Sequence, residues 1–300
     1  MRVIPLSGEQ YVLTHGDYTA TIASVGATLR SLSYRGRDLV VPFEADEVRP
    51  AYRGVTLAPW PNRVIDGVYS FDGEDFVLAL TEPNRGHALH GLVAWQNFAL
   101  VSQVSDRVAI ATTIEAQTGY PFRVDVLAEF WLDGDGLHTL ITATNTGPRR
   151  APWGVGPHPY LIAGEGLVDD WTLELPASTV ITIQGDRLLP VATVGVETTD
   201  FDFQQPRVIR DLFIDHAFGG LTRHEARVTS GDSGVVMTWD SACPWVQIHT
   251  ADRLDAPEIS RIGLAVEPMT CPPDAYNSGV DLVTLEPGES SAAGWTIGAL

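Results

Sequence analysis

The 300-residue chain contains no lysine, and all 19 of its basic residues are arginines. Chemistry that starts from a side-chain amine is therefore closed to it. It can form no Schiff base with a carbonyl substrate, attach no pyridoxal phosphate and place no P-loop lysine on a phosphate. Among sugar-handling enzymes, this removes the lysine-dependent aldolases. Cysteine is almost as scarce. Cys243 and Cys271 fit no CxxC metal or redox motif, and two thiols are too few for a disulfide framework, so a reducing compartment is expected. The segment Met1-Arg2-Val3-Ile4-Pro5-Leu6-Ser7-Gly8 lacks the apolar centre of a signal peptide. No run approaches the ~18 consecutive apolar residues of a membrane span. The expectation is a cytoplasmic protein with no membrane partner. Positive charge is also in short supply, with 19 basic against 38 acidic residues and a formal net charge of −19. Nucleic acid and anionic lipid surfaces are poor partners for such a chain. The acid excess is spread along the sequence and reads as a self-repelling surface.

Helical periodicity is missing as well. No window of helical length keeps a 3.6-residue apolar repeat, and 20 prolines with 28 glycines would interrupt most candidates. Short alternating runs are present instead. Tyr11 to Thr14 and Tyr18 to Ser24 flank His15-Gly16-Asp17, and Phe71-Asp72-Gly73-Glu74-Asp75-Phe76 is a tight turn between aromatic ends. Val124, Val126, Ala128, Phe130 and Leu132 share one face before Asp133-Gly134-Asp135-Gly136 turns the chain. Leu137, Thr139, Ile141 and Ala143 then repeat the period of two, as Val108, Ile110, Thr112 and Ile114 do upstream. Many short strands without a low-complexity linker predict an all-β protein, a large antiparallel β-sandwich formed as a single domain over residues 1–300. Its 44% hydrophobic content can fill a sizeable core.

Two proline-braced segments carry an acid and a base. Gly156-Pro157-His158-Pro159-Tyr160-Leu161 presents a histidine, and Ala265-Val266-Glu267-Pro268, running on to Pro272-Pro273-Asp274-Ala275-Tyr276-Asn277, presents a carboxylate. Restricted backbones can aim both side chains, and the two together can exchange a proton near neutrality. Other matches are decoys. Gly231-Asp232-Ser233-Gly234 has the core of a serine nucleophile motif, but four small polar residues make a common β-turn and no segment supplies its base. His87 with His90, or Asp215 with His216, lacks a third metal ligand at a recognisable spacing. No metal site is expected.

Asn62-Arg63, His90-Gly91, His158-Pro159-Tyr160, Asp215, Gln247 in Trp245-Val246-Gln247-Ile248, and Glu267 occur in that order over most of the chain. The series resembles the aldose 1-epimerase (galactose mutarotase) family. The resemblance implies a many-stranded supersandwich, a small-molecule sugar as partner, a monomer or homodimer, and no cofactor. It also implies that Glu267 is the base taking the anomeric hydroxyl proton and His158 the acid protonating the ring oxygen. Asn62, Arg63, His90, Tyr160, Asp215 and Gln247 would then hold the sugar. The neighbouring carboxylate is expected to raise the His158 pKa, and the Arg63 fork to grip sugar oxygens. Trp60, Trp153 and Trp245 lie beside these motifs and could either stack on a pyranose or pack in the core.

The chain departs from the family pattern where the sugar periphery should lie. It reads Leu57-Ala58-Pro59-Trp60-Pro61 where many members have Gly-Arg, and Leu92-Val93-Ala94-Trp95 where a second glycine usually follows the His-Gly. Trp-Pro-Asn-Arg and His-Gly-Leu-Val resemble a bacterial subgroup linked to sulfonated sugars. Two alternatives to a neutral aldose therefore stand. One is an epimerase of an anionic sugar, phosphorylated or sulfonated, with Arg53, Arg63 and Arg85 as candidate anion ligands. The other is a non-catalytic carbohydrate-binding protein, against which the presence of both His158 and Glu267 weighs. A polysaccharide lyase or hydrolase on a related sandwich would usually carry a secretion signal.

Overall fold

The computed structural model describes residues 3–300. Met1 and Arg2, which open the N-terminal segment read above, lie outside the described residues. Antiparallel hairpins form where the period of two places them. Gln10–His15 pairs with Tyr18–Ala23 across a two-residue turn, and Phe71 faces Glu74 across Asp72-Gly73. Both turn residues of the second hairpin have positive φ, 51° and 82°, which fits the right-handed twist of the strands they join. Val124–Asp133 and Gly136–Asn145 pair over their whole length, and burial alternates residue by residue along the first and from Leu137 onward along the second.

These hairpins build three main sheets. The largest has nine strands and is centred on Val124–Asp133, Gly136–Asn145 and Ser290–Ala299. A four-stranded sheet carries the N-terminal strands. A six-stranded sheet runs in the order Tyr160–Leu161, Leu264–Met269, Trp245–His249, Asp215–Leu221, Ala177–Gln184, Leu189–Gly195. Among the described residues, the one α-helix is the single turn Ala275–Ser278, and no helix is long and apolar enough to cross a membrane.

One contiguous apolar cluster joins the sheets, drawing Leu13 and Leu32 from the four-stranded sheet, Val126, Phe130 and Ile141 from the nine-stranded sheet, and Phe218, Val246, Ile248 and Val266 from the six-stranded sheet. Strand alternation then dictates what the other face of the six-stranded sheet presents. Asp215, Ala217, Gln247, His249, Ala265 and Glu267 have the opposite parity to those core residues. The core thus commits one face of this sheet and leaves four polar side chains together on the other.

Candidate functional site

Register brings the distant motifs into one place. Glu267 sits directly opposite Gln247, and Asp215 opposite His249. Gln247 therefore lies between Glu267 and Asp215 on the shared face, and its Nε2 donates to Asp215 Oδ1 at 2.6 Å. Tyr160 pairs with Ala265, so His158, two residues earlier, points to the same side as Glu267. The chain must approach Pro268 closely to do this. A Cβ at Gly156 would stand 2.6 Å from the Pro268 carbonyl oxygen, which is why glycine precedes the His-Pro segment. The His158 backbone is tied on both sides, its N–H donating to Val55 O at 3.0 Å and its carbonyl accepting from Gly54 N at 2.7 Å. The outcome is a His158 Nε2 to Glu267 Oε1 separation of 3.5 Å, with side-chain exposures of 6% and 2%.

The second wall comes from the paired strands Arg63–Ile65 and His87–Leu89. Asn62 and His90 flank that ribbon with φ of 56° and 63°, and the His90 N–H donates to Asn62 O at 2.8 Å. Gly91 follows at φ 74°, where a Cβ would fall 2.1 Å from Ala58 O. The His-Gly pair is thus a backbone requirement that turns the His90 ring onto His158, edge to face at 5.0 Å between centroids. A cavity of about 460 Å³ results, lined by Asn62, Arg63, His90, His158, Tyr160, Asp215 and Glu267 among others. Gln247 is buried beneath that lining. Four buried polar atoms here find no hydrogen-bond partner within the protein: His90 Nδ1, His158 Nδ1, Gln247 Oε1 and Glu267 Oε2. Buried polar atoms are normally satisfied, so their convergence marks this cavity as built for polar groups from elsewhere.

Electrostatics correct one expectation. Burial, with His249 next, pushes His158 down to about 3. The carboxylate does not raise it. Burial, reinforced by Asp215 and only partly opposed by Arg63, pushes Glu267 well above the ordinary carboxyl value. Desolvation disfavours both charged forms at once. Burial thus biases the pair toward a neutral imidazole opposite a protonated carboxyl. Burial also lowers His90 strongly. Asp215 differs: burial would raise it, but His249, Arg63 and the Gln247 amide outweigh burial and keep it ionised.

Arg63 corrects a second expectation. Its fork faces Glu82, with Nε to Oε2 at 2.7 Å and Nη2 to Oε1 at 3.0 Å. Only the outer hydrogens of the guanidinium remain, near Asn62 Oδ1 at 3.5 Å and Asp215 Oδ2 at 4.0 Å.

The tryptophans go to other places. Trp60 and Trp153 are core residues, and Trp245 donates to Asp281 Oδ2 at 2.8 Å outside the cavity. The aromatic wall is Tyr52, Tyr160 and Phe213. Tyr160 lies ring-on-ring with His158 at 5.1 Å and donates its hydroxyl to Ala51 O. The decoys separate. His87 is held by the Asp66 N–H and the Arg187 carbonyl. His216 takes the parity opposite to Asp215 and packs on Phe201 at 4.2 Å. Ser233 borders a broad open depression of about 840 Å³ whose lining includes no histidine.

Sequence reasoning missed Tyr52, Glu82, His249 and Arg253, all of which line the cavity. His249 was within reach, because it follows Gln247 by two in an alternating strand. Glu82 gave no local signal, since its significance lies in the distant arginine it holds.

Comparison with known proteins agrees with this architecture. The aldose 1-epimerase family model matches residues 9–297. The uncharacterized protein YihR of Escherichia coli (strain K12) is 35% identical over 285 residues, covering 94% of this chain and 91% of its own. Galactose mutarotase of Bos taurus is 26% identical, with 94% and 91% covered. The fold matches the GalM/aldose epimerase homologue from C. elegans with a TM-score of 0.86 at 20% identity, covering 97% of this chain and 98% of that one. It also matches galactose 1-epimerase from Lactobacillus acidophilus NCFM at 0.81 and 19%, with 96% and 93% covered. The all-β, galactose mutarotase-like fold is thereby established, and the chain belongs to the aldose 1-epimerase family.

Proposed function

We propose that this chain interconverts the α and β anomers of an aldose by opening and reclosing the sugar ring. The observation that carries the reading is the buried pair His158 and Glu267, 3.5 Å apart at the floor of a polar cavity. One proton is what the reaction requires. Starting from the tautomer with imidazolium and carboxylate, Glu267 takes the hydrogen of the anomeric hydroxyl as the bond from C1 to the ring oxygen breaks. His158 gives its proton to that ring oxygen. The open aldehyde turns about C1–C2, and reclosure runs the transfers backwards, restoring the pair. Burial favours the neutral tautomer, with the proton on Glu267, so the reaction starts from a proton that has crossed to His158. Positive charge from Arg63, which favours the Glu267 carboxylate, supports that shift. Neither a metal nor a cofactor is required in these steps, and the sugar is the one partner they call for. Asn62, His90, Tyr160 and Asp215 would position its hydroxyls, with Gln247 holding Asp215 from below.

One observation also keeps the anionic-sugar reading. Arg85 and Arg253, each about two-fifths exposed, line the cavity mouth with Glu82 and Asp255 as counter-charges. Arg53, whose guanidinium carbon lies 6.0 Å from the Tyr160 ring centre, is not in the lining. The deciding experiment follows anomer exchange by NMR or polarimetry in freshly dissolved α-anomers, neutral and anionic. Faster exchange of anionic sugars alone would select the second reading. Exchange at the spontaneous rate for every sugar, with binding intact, would leave a carbohydrate-binding protein.

A further inference from the structure

We propose that Glu82 is a positioning residue for this site: by taking both donors of the Arg63 fork, it aims the guanidinium and keeps its charge from closing onto Asp215 and Glu267. The inference rests on the proposed function for its kinetic arm only.

The geometry is that of a fork on a carboxylate. Two parallel N–H···O contacts, at 2.7 and 3.0 Å, fix the plane of the guanidinium as a single contact could not. Both side chains are 12% exposed, so the pair is shielded from the screening that weakens surface ion pairs. Arg85 braces the same carboxylate from outside, with Nη1 at 2.7 Å from Oε1. Glu82 is also anchored through its own backbone, donating to His87 O and accepting from His87 N across the loop. It is therefore a fixed post and not a passing partner.

What the post prevents is visible in the next shell. Arg63 Nη2 is 4.0 Å from Asp215 Oδ2, just short of a close ion pair. Arg63 is also the cation that opposes the burial of Glu267, and Glu82 is not itself among the principal influences on that carboxyl. The charged and titratable groups that share this cavity with Arg63 and Glu267 are Tyr52, then Glu82 and Arg85 from the 82–85 loop, His90 after its strand, His158 and Tyr160 beside Glu267, Asp215 from its strand, His249 opposite Asp215, and Asp252, Arg253 and Asp255 beyond it. In that company Glu82 alone makes a two-point contact with Arg63. Removing its charge while keeping its shape should let Arg63 close on Asp215, offsetting the negative charge that raises Glu267, while Glu82 no longer counters the guanidinium. A carboxylate then becomes easier to form at Glu267, and its proton affinity falls.

The test labels glutamate with ¹³C and titrates the Glu267 carboxyl by NMR, with Glu267→Gln assigning the signal, in the wild type, Glu82→Gln and Glu82→Asp. A roughly ten-fold or greater rise in the Glu267 acid dissociation constant is expected in Glu82→Gln. Glu82→Asp, which keeps the charge, should restore most of the wild-type value. In an Arg63→Met background the effect of Glu82→Gln should shrink below two-fold, because the residue acts through Arg63. An unchanged dissociation constant in a folded Glu82→Gln protein, or an equal shift with and without Arg63, would overturn the proposal. Kinetics supply the second arm. The alkaline limb of anomer exchange should move to lower pH in Glu82→Gln, with a several-fold rise in KM. Exchange in the wild type with no such changes would sink the positioning role alone. If the wild type exchanges no sugar, the functional reading falls, and the carboxyl titration still decides the role of Glu82.

Discussion

Acid destabilisation of this fold should run through His158, and its size can be worked from the site. An unfolded imidazole takes up its proton near 6.5, whereas the buried one waits until about 3. A lowered histidine pKa contributes nothing adverse above 6.5. As pH falls below that value, the unfolded chain binds a proton that the folded chain refuses, so stability is lost. At pH 5 the gap is about 1.5 units, worth about 2 kcal/mol at ~1.4 kcal/mol per unit. Glu267 works in the opposite sense. Its raised value costs stability as pH rises above the ordinary carboxyl range, so the wild type mixes two trends. The clean comparison removes that carboxyl first. Glu267→Gln and the double variant Glu267→Gln/His158→Asn are each unfolded with urea at pH 7.5 and pH 5, with m-values checked for constancy. The single variant should lose about 2 kcal/mol more than the double variant on acidification. Equal losses would mean that His158 is not held neutral by burial.

Two further outcomes follow from the same geometry. Glu267→Gln preserves size and removes basicity, so turnover should fall about 10²-fold or more. The weak residual activity should lose its alkaline limb, because the proton lost on that side is the one Glu267 holds, whereas His158→Asn should keep that limb in whatever exchange survives. Measured pH profiles with the limb assigned the other way round would return the resting proton to His158. Gly91→Ala should destabilise the protein by more than about 2 kcal/mol, since it meets both a left-handed φ and the Ala58 carbonyl. A thermal melt and a sugar titration would show whether the His90 ring is displaced with it.

How far the sequence could be read depended on whether the relevant physics was local. Val124 to Leu132 and Leu137 to Ala143 announce their hairpin because period-two burial and a Gly-Asp turn are written in consecutive residues. The motifs around His158 and Glu267 were legible for a related reason: glycine and proline mark where backbones must approach, as Gly156 does against Pro268. Non-local quantities were not legible. The tryptophans beside the motifs looked like sugar platforms, yet alternation and core demand placed Trp60 and Trp153 inside the apolar cluster and left Tyr52 to face His90 at 4.7 Å. Arg63 looked like a free fork because nothing near it in sequence names Glu82, nineteen positions away. The sign of the His158 shift was misjudged for the same cause. A carboxylate at 3.5 Å raises a histidine in water, but here both groups are enclosed by strands from distant stretches of chain, and desolvation exceeds their mutual attraction. Burial biases the pair toward its uncharged tautomer and keeps the cost of charge separation out of the resting state, and the proposed reaction reaches the ionic tautomer with the help of Arg63. The burial that hid this behaviour from the sequence is thus the feature on which the proposed chemistry depends.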